Sequence, residues 1–433
     1  MTKEEILLAQ REFLYPAVFH SYREPLVITC ARNQFVYDAD GREYLDFFGG
    51  IVTISVGHAN PRVNRAVHEQ IDRLTHVSTL FATEPQAALA AKIASITPEG
   101  KLTKSFFTNS GTEANETAIL TARCYTGSSE IVALRHSYHG RSALGMALTG
   151  NSAWRIGASA AGIVHAHSPY CYRCPFGLTY PECEVRCARD VEELIRTTTS
   201  GCVAGFIAEP LQGVGGYIVP PPEYFRIVAE IVRSHGGIFI SDEVQTAWGR
   251  TGNKWFGIEH YGVVPDIITS AKGLGNGLPI AVTVARPEVA AAVTGLTIST
   301  FGGNPVAAAA AKAVLEVVEG DNLLANTAAV GEYLQGRLRE LQEKHLVIGE
   351  VRGRGLLQAL ELVQDRATRE PATAAAAAVL ESARENALLI GKGGLYGNVI
   401  RISPPMNIAR ADVDEFIGRL DASFSRAASA ARG

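Results

Sequence analysis

Short apolar runs alternate with helix-like stretches through the middle of this chain, and this alternation most constrains its fold. The helix-like stretches cover residues 61–75 and 86–96, and an alanine-rich one follows at 306–319. The apolar runs lie at 104–109, 131–135, 202–210, 237–244, 266–272 and 280–287. Several are apolar for four or five consecutive residues, as strands covered on both faces are. The pattern predicts an α/β fold with a mostly parallel sheet flanked by helices.

Segments at the two ends of the chain predict a second, smaller domain. Residues 35–47 alternate apolar and polar side chains around Asp40-Gly41, which predicts a β-hairpin. Beyond about residue 325, helix-like and short strand-like segments resume. We therefore expect a large domain at 59–325 and a small α+β domain built from 1–58 and 326–433.

Composition and charge exclude several classes of protein. The 433 residues are 47% hydrophobic and 19% charged, which is typical of a globular enzyme. A net charge of -4 gives no electrostatic footprint for nucleic acid or an anionic membrane. No apolar run reaches the roughly 20 residues that span a bilayer. The first residues, MTKEEILLAQREFLYP, lack the features of a signal peptide, so we expect a cytoplasmic protein.

Four polar residues lie at or just after the ends of predicted strands, where α/β proteins gather their chemistry: Ser110, Glu209, Asp242 and Lys272. Lys272 ends DIITSAK and precedes GLGNG. A lone lysine there usually points into solvent, but a desolvated one can serve as a Schiff-base amine near neutral pH. Asp242 follows the apolar run GIFIS and needs a partner. Asp242 can form a salt bridge to Arg250, act as an N-cap, or face a protonated ring nitrogen whose charge the carboxylate maintains.

Three further groups suggest a bound ligand, and each has a plainer explanation. Residues 110–112, SGT, would open a helix whose free N–H groups attract an anion, although their spacing to Glu113 also fits a capping box. Tyr138, in SYHGRS, can stack on a planar ligand or simply pack. Arg401, in RISPP, can grip a carboxylate or stand on the surface. Together these groups supply what a phosphorylated pyridine aldehyde requires.

The same segments carry a resemblance to a known family. The chain resembles the class III aminotransferases, which are pyridoxal-phosphate enzymes of fold type I. The resemblance extends over nearly the whole length and rests on YDADGREYLDFFGGI, VGHANP, SGTEANE, SYHGR, AEPLQGVGG, ISDEVQTAWGRTG, AKGLGNGLP, STFGGNP, VRGRGL and RISPP.

The resemblance implies a role for each residue. Lys272 would form the aldimine with pyridoxal 5'-phosphate and shuttle the substrate proton, Asp242 would bind the pyridinium, and Glu209 would lie beside them. The implied cofactor contacts are Ser110, Gly111, Thr112, Tyr138, His139, Asp242, Val244, Gln245, Lys272 and Thr300. Thr300 would reach the cofactor of a neighbouring subunit, which implies a homodimer or a tetramer.

Substrate choice is less defined. In family members that act on 4-aminobutyrate or ornithine, a glutamate can neutralise the arginine clamp, but this chain has Val214 there. Arg401 would then be a permanently available site for a substrate carboxylate, which favours pyruvate or glyoxylate as acceptor. Arg141 matches an arginine that binds a distal carboxylate in 4-aminobutyrate enzymes, so 2-oxoglutarate stays open. Pocket walls are expected from Phe47, Phe48, Ile51, Leu80, Phe81 and Trp154, with Ile51 and Phe81 touching substrate.

Alternatives to transamination also remain. Racemisation or decarboxylation uses the same cofactor, and a non-catalytic scaffold could keep the fold. A nicotinamide-dependent oxidoreductase is disfavoured, because GLGNGLP precedes a predicted strand instead of opening a helix.

Four cysteines lie outside this scheme. Cys171, Cys174, Cys183 and Cys187 could form a zinc knuckle, a reversible disulfide or packed thiols. The chemistry itself needs no metal, and we assign no metal to the active site.

Overall fold

The structure is a computed structural model that describes residues 1–157 and 160–430. Its helices are α1 Lys3–Phe13, α2 Gly49–Val52, α3 Pro61–Arg73, α4 Glu84–Ile96, α5 Gly111–Thr126, α6 Ala143–Leu148, α7 Arg186–Thr198, α8 Tyr224–Ser234, α9 Pro287–Ala290, α10 Pro305–Gly320, α11 Leu323–Lys344, α12 Thr373–Glu385 and α13 Arg410–Ala430. Within the described ranges, no helix is long and apolar enough to cross a membrane.

The strands form three sheets. They are β1 Ile28–Arg32, β2 Phe35–Asp38, β3 Glu43–Asp46, β4 Lys104–Thr108, β5 Ile131–Leu134, β6 Ile163–Ala166, β7 Gly205–Ala208, β8 Ile238–Asp242, β9 Ile267–Ser270, β10 Ala281–Ala285, β11 Ile348–Arg354, β12 Leu357–Leu362, β13 Leu388–Leu389, β14 Gly391–Gly393 and β15 Val399–Ile402. The largest sheet has seven strands in the order β4-β10-β9-β8-β7-β5-β6.

The seven-stranded sheet confirms the α/β prediction. All of its strands run in one direction except β10, which is antiparallel to both of its neighbours. Strands β5, β7, β8 and β9 are buried at every position. This complete burial explains why their sequences are runs of apolar residues without alternation.

Two smaller sheets join distant parts of the chain. The predicted hairpin forms from β2 and β3, with Phe35 opposite Leu45, and β13 adds to it in parallel through Leu388. Strands β11, β12, β15 and β14 form the third sheet. One hydrophobic core includes side chains from both ends of the chain, such as the stacked rings of Phe47 and Phe416. The domain boundaries at residues 58 and 325 stay a prediction.

The alanine-rich helix α10 is a packing element. Ala308, Ala310 and Ala311 are fully buried, and Ala308 and Ala311 belong to the core under the large sheet, whereas Ala310 belongs to the core of the terminal segments. Small side chains allow a helix to approach its neighbours closely on several faces. The helix therefore links the two cores and fixes the large sheet relative to the smaller ones.

Candidate active site

A cavity of about 340 Å³ lies beyond the carboxyl ends of the large sheet's central strands. Ligands of open α/β sheets bind at this edge, because helix N-termini and loop residues converge there. Its lining includes eleven of the predicted site residues: Ser110, Gly111, Thr112, Tyr138, His139, Arg141, Glu209, Asp242, Val244, Gln245 and Lys272.

Lys272 is half-buried and lies two residues beyond the end of β9. Its φ of 33° lies in the left-handed region, which non-glycine residues rarely adopt and which often marks a functional site. Burial, together with the positive charge of Arg401, lowers the pKa of Lys272 to about 8. The neutral amine is therefore accessible near neutral pH, as the desolvated-lysine hypothesis requires.

Asp242 ends β8 and is almost completely buried within a hydrogen-bond network. Its Oδ2 accepts hydrogen bonds from Asn115 Nδ2 at 2.8 Å and His139 Nδ1 at 2.7 Å, and its Oδ1 accepts one from Val244 N at 3.1 Å. Arg250 instead donates to the carbonyls of Ile54 and Pro404. The structure thus contradicts the alternative of an Asp242–Arg250 ion pair.

Glu209 follows β7, the neighbour of β8, and bridges two loops of the site. Its carboxylate accepts hydrogen bonds from Tyr138 N at 3.0 Å and Gly213 N at 2.7 Å. Burial, together with the nearby charge of Asp242, raises the pKa of Glu209 to about 7. Glu209 therefore positions Tyr138 and the loop after β7, and it can change its charge near neutral pH.

The N-terminus of α5 lies beside the cavity, as the predicted anion site requires. Ser110 caps the helix by accepting a hydrogen bond from Glu113 N at 3.3 Å, while Glu113 accepts one from Asn109 N at 3.1 Å. Ser110 is therefore the N-cap, but the capping box is not formed, because the Glu113 carboxylate accepts from Asn109 N instead of Ser110 N; this cap is compatible with an anion site. At Gly111, an added Cβ would lie 2.8 Å from Val244 Cγ2, so only glycine fits beneath that side chain.

Arg401 lies on β15 behind the cavity wall and is 3% exposed. Its Nη2 donates to Gln245 Oε1 at 2.7 Å and to Tyr217 Oη at 3.3 Å. Its guanidinium also lies 4.7 Å from the ring centre of Tyr217 and 5.4 Å from that of Phe48. In the described part of the chain, no carboxylate pairs with Arg401 and its buried Nε has no hydrogen-bond partner.

Besides Arg401, which lies behind the wall, three predicted residues lie outside the cavity of a single chain. Ile51, Phe81 and Thr300 are exposed and do not line it. Ile51 has a φ of 64°, within a left-handed turn that follows Phe48. The expected role of Thr300 concerns a neighbouring subunit, so a single chain does not test it.

Sequence reasoning missed two residues of the site, Asn115 and Tyr217. Asn115 is four positions after Gly111 in α5, so helical spacing places both on one face, and this signal could have identified it. Tyr217 lies in a loop and meets Arg401 across 184 positions. No local pattern indicates such a contact.

Comparison with known proteins decides the family. The family model described as "Aminotransferase class-III" matches residues 18–424. The chain belongs to the class III aminotransferases. It is 44% identical to "Alanine--glyoxylate aminotransferase 2 homolog 2, mitochondrial" of Arabidopsis thaliana, over 97% of this chain and 87% of that protein. It is also 38% identical to a "Leucine/methionine racemase" of Thermococcus litoralis, over 98% and 96% of the two chains.

The solved structures agree with the family. An amine transaminase from an uncultivated Pseudomonas species, in its PLP-bound form, superposes with a TM-score of 0.90 at 33% identity, covering 96% of this chain and 98% of that one. The fold is that of the type I pyridoxal-phosphate enzymes, and the protein is a transferase.

Class III aminotransferases depend on pyridoxal phosphate, and the residues of the cavity fit this cofactor. Lys272 offers an amine for its aldehyde, Asp242 a buried carboxylate for its ring nitrogen, and α5 an N-terminus for its phosphate. Within the described residues, the buried His139 Nε2 has no hydrogen-bond partner. Buried polar atoms are normally paired, so this atom is free to bond to a group of the ligand.

The cysteine segment is separate from this cavity. All four cysteines are free thiols around a small cavity of about 20 Å³. Burial raises the pKa of Cys171 to about 11 and of Cys187 to about 12, so both are protonated at neutral pH. Over residues 1–157 and 160–430, no three His, Cys, Asp or Glu side chains are arranged to hold a metal ion. The arrangement gives no support to the zinc alternative.

Proposed function

We propose that the protein transfers an amino group from an amino acid or ω-amine to a small 2-oxo acid, pyruvate or glyoxylate, by a ping-pong mechanism. The observation that carries this proposal is the buried Arg401, which has aromatic and amide neighbours but no paired carboxylate among the described residues. A buried guanidinium without a counter-ion favours binding of an anion.

The proposed cofactor contacts follow from the residues around the cavity. Residues 110–112 would bind the phosphate through the helix N-terminus, and Tyr138 and Val244 would cover the two faces of the ring. Asp242 would hold the ring nitrogen in its protonated form, with His139 and Asn115 orienting its carboxylate. The bound cofactor supplies an electron-accepting ring.

Lys272 is proposed to hold and move the reacting proton. Its lowered pKa allows the amine to accept a proton from the substrate α-carbon and return it nearby. Glu209 is proposed to keep Tyr138 in place and adjust the local charge.

Arg141 supports a second candidate, a 4-aminobutyrate–2-oxoglutarate aminotransferase. Its side chain is exposed and lines the cavity, where it could meet a distal carboxylate. Val214 argues against this candidate, because no glutamate is present there to neutralise Arg401 for a donor without an α-carboxylate. Rates with pyruvate, glyoxylate and 2-oxoglutarate across a panel of donors will separate the two.

Arg401→Ala tests the proposal directly. Loss of the guanidinium should raise KM for pyruvate at least about tenfold, the value of one charged hydrogen bond, and should change KM for 1-phenylethylamine far less. Initial rates over a grid of donor and acceptor concentrations measure both constants. Equal losses for the two substrates would contradict the proposed carboxylate site.

The similarity to a racemase supports one further alternative within the same chemistry. A racemase inverts the α-carbon without an acceptor, whereas a transaminase stops after half a turnover unless a 2-oxo acid is added. Incubating the holoenzyme with a single L-amino acid and no acceptor distinguishes them. Accumulation of the D-enantiomer over many turnovers would overturn the proposal.

We also propose a homodimeric, cytoplasmic protein, and we retain the tetramer as an alternative. Large apolar side chains near Thr300 are exposed in the single chain, which supports burial against a second copy. Cell fractionation and size-exclusion chromatography test location and assembly respectively.

A further inference from the structure

The contact between Gln245 and Arg401 connects the cofactor cavity to the proposed carboxylate site. Gln245 lines the cavity, and its Oε1 accepts the 2.7 Å hydrogen bond from Arg401 Nη2. The amide therefore occupies a donor that an incoming carboxylate would use. Tyr217 is a weaker second acceptor at 3.3 Å from the same nitrogen.

The position of the amide is tightly defined. Gln245 is 7% exposed, and an added Cβ at Gly213 would lie 2.5 Å from its carboxamide carbon. The carboxamide thus lies directly against the Gly213 backbone, where any larger residue would displace it. The loop that carries Gly213 is itself held by Glu209 through a hydrogen bond of 2.7 Å.

The chemistry of the two possible acceptors differs. An amide oxygen satisfies a guanidinium N–H without neutralising its charge, whereas a carboxylate does both and can bind in a bidentate manner. An incoming substrate carboxylate should therefore displace the amide, while a permanent carboxylate at position 245 would compete strongly with it. With an uncharged donor, the amide leaves Arg401 partly satisfied instead of orphaned.

We propose that Gln245 is a displaceable, neutral latch on Arg401, and that it sets the enzyme's preference between substrates with and without a carboxylate near this site. This inference rests on the proposed function, because it assumes that Arg401 binds the substrate carboxylate. Gln245 acts here as a positioning residue for Arg401, in addition to its expected contact with the cofactor.

The test is titration of propionate into holoenzyme by calorimetry, comparing wild type, Gln245→Glu and Gln245→Ala. Both variants lose the amide, so any general effect on the cofactor affects both, and bound cofactor is measured by its absorbance. Only the glutamate adds a competing charge. We expect propionate to bind Gln245→Glu about tenfold or more weakly than Gln245→Ala, a difference of about 1.4 kcal/mol. Gln364→Glu is the matched control, because it adds the same charge at an exposed glutamine outside the cavity, and it should change propionate binding less than about threefold.

Each outcome decides the inference. Equal propionate affinity in the two Gln245 variants, with wild-type binding intact, would overturn the latch and leave the proposed function standing. Absence of propionate binding to wild type would overturn both. If Gln245→Glu retains no cofactor, the comparison of Gln245→Ala with wild type replaces it. The alanine variant should bind propionate at least as tightly as wild type, and weaker binding would overturn the latch.

Discussion

Lys272 combines a strained backbone conformation with an amine whose pKa is lowered. Its left-handed φ turns the side chain out of the line of β9, and burial with Arg401 nearby keeps the pKa near 8. A lysine whose pKa lies below its ordinary value is neutral over a wider pH range, so reactivity rises as pH approaches that pKa and levels off above it.

This acidity can be measured in apoenzyme. The rate at which apoenzyme binds pyridoxal phosphate covalently should rise about tenfold per pH unit below pH 8 and flatten above it, because only the neutral amine reacts. Replacing Arg401 by methionine removes a positive neighbour and should shift the midpoint upward. Stopped-flow absorbance measures both profiles, and a midpoint unchanged in the variant would show that Arg401 has no electrostatic effect on Lys272.

Residues at strand ends could be predicted from the sequence, whereas contacts across the fold could not. Glu209, Asp242 and Lys272 follow the apolar runs of β7, β8 and β9, which are neighbours in the sheet. The pattern of apolar runs, and the positions of these three residues directly after the runs, were therefore sufficient to predict that they lie in one site. Tyr217 joins the site through a contact 184 positions apart, which depends on packing that no local pattern encodes, whereas the helical spacing of Asn115 to Gly111 did carry a signal.

At the scale of elements, α5 and the loop after β8 fit together at one small contact. Gly111 in the first turn of α5 lies beneath Val244, so the two segments that would bind the phosphate and the ring are mutually fixed. A shift of either segment would therefore disturb both parts of the cofactor site.

Gly111→Ala tests this fit. The new Cβ would lie 2.8 Å from Val244 and must displace it, so we expect cofactor affinity to fall about tenfold or more with a modest loss of stability. Gly336→Ala, in α11, is the matched control, because its added Cβ meets nothing within 4 Å and alanine favours helix. Fluorescence titration with pyridoxal phosphate measures affinity, and unchanged affinity in Gly111→Ala would contradict the account.

Element type was easier to predict than strand direction. The apolar runs became β4, β5, β7, β8, β9 and β10, and the alanine-rich stretch became α10. The antiparallel direction of β10 was not foreseen, because a buried strand has the same residue pattern in either direction. Strand β6 was missed, since its sequence IVHA is short and interrupted by a histidine.

At the scale of the whole molecule, exposed apolar side chains occur in two segments of the sequence, one around Thr300 and one at residues 80–81. Leu296, Ile298 and Phe301 are 108%, 57% and 61% exposed, and Leu80 and Phe81 are 72% and 65% exposed. Exposed apolar patches in single chains often mark interfaces. Sequence pattern alone could not separate these residues from core residues, because both are apolar.

Phe301→Asp should weaken the proposed dimer. A charge at this position would be costly to bury against a second copy, so we expect a shift toward the 46.3 kDa monomer and faster loss of cofactor on dilution. Leu346→Asp is the control, at a similarly exposed leucine that belongs to a different segment. Size-exclusion chromatography with light scattering measures the mass, and a variant that keeps the wild-type mass would contradict the interface.

The central claim is that the amine of Lys272 and the carboxylate of Asp242 both bind the same pyridoxal phosphate. Reducing the holoenzyme with borohydride and mapping its peptides by mass spectrometry tests it most directly. We expect a phosphopyridoxyl group on Lys272, and its loss in Lys272→Ala while the protein stays folded. A stable phosphopyridoxyl group on another lysine of the wild-type protein, or none at all, would contradict it.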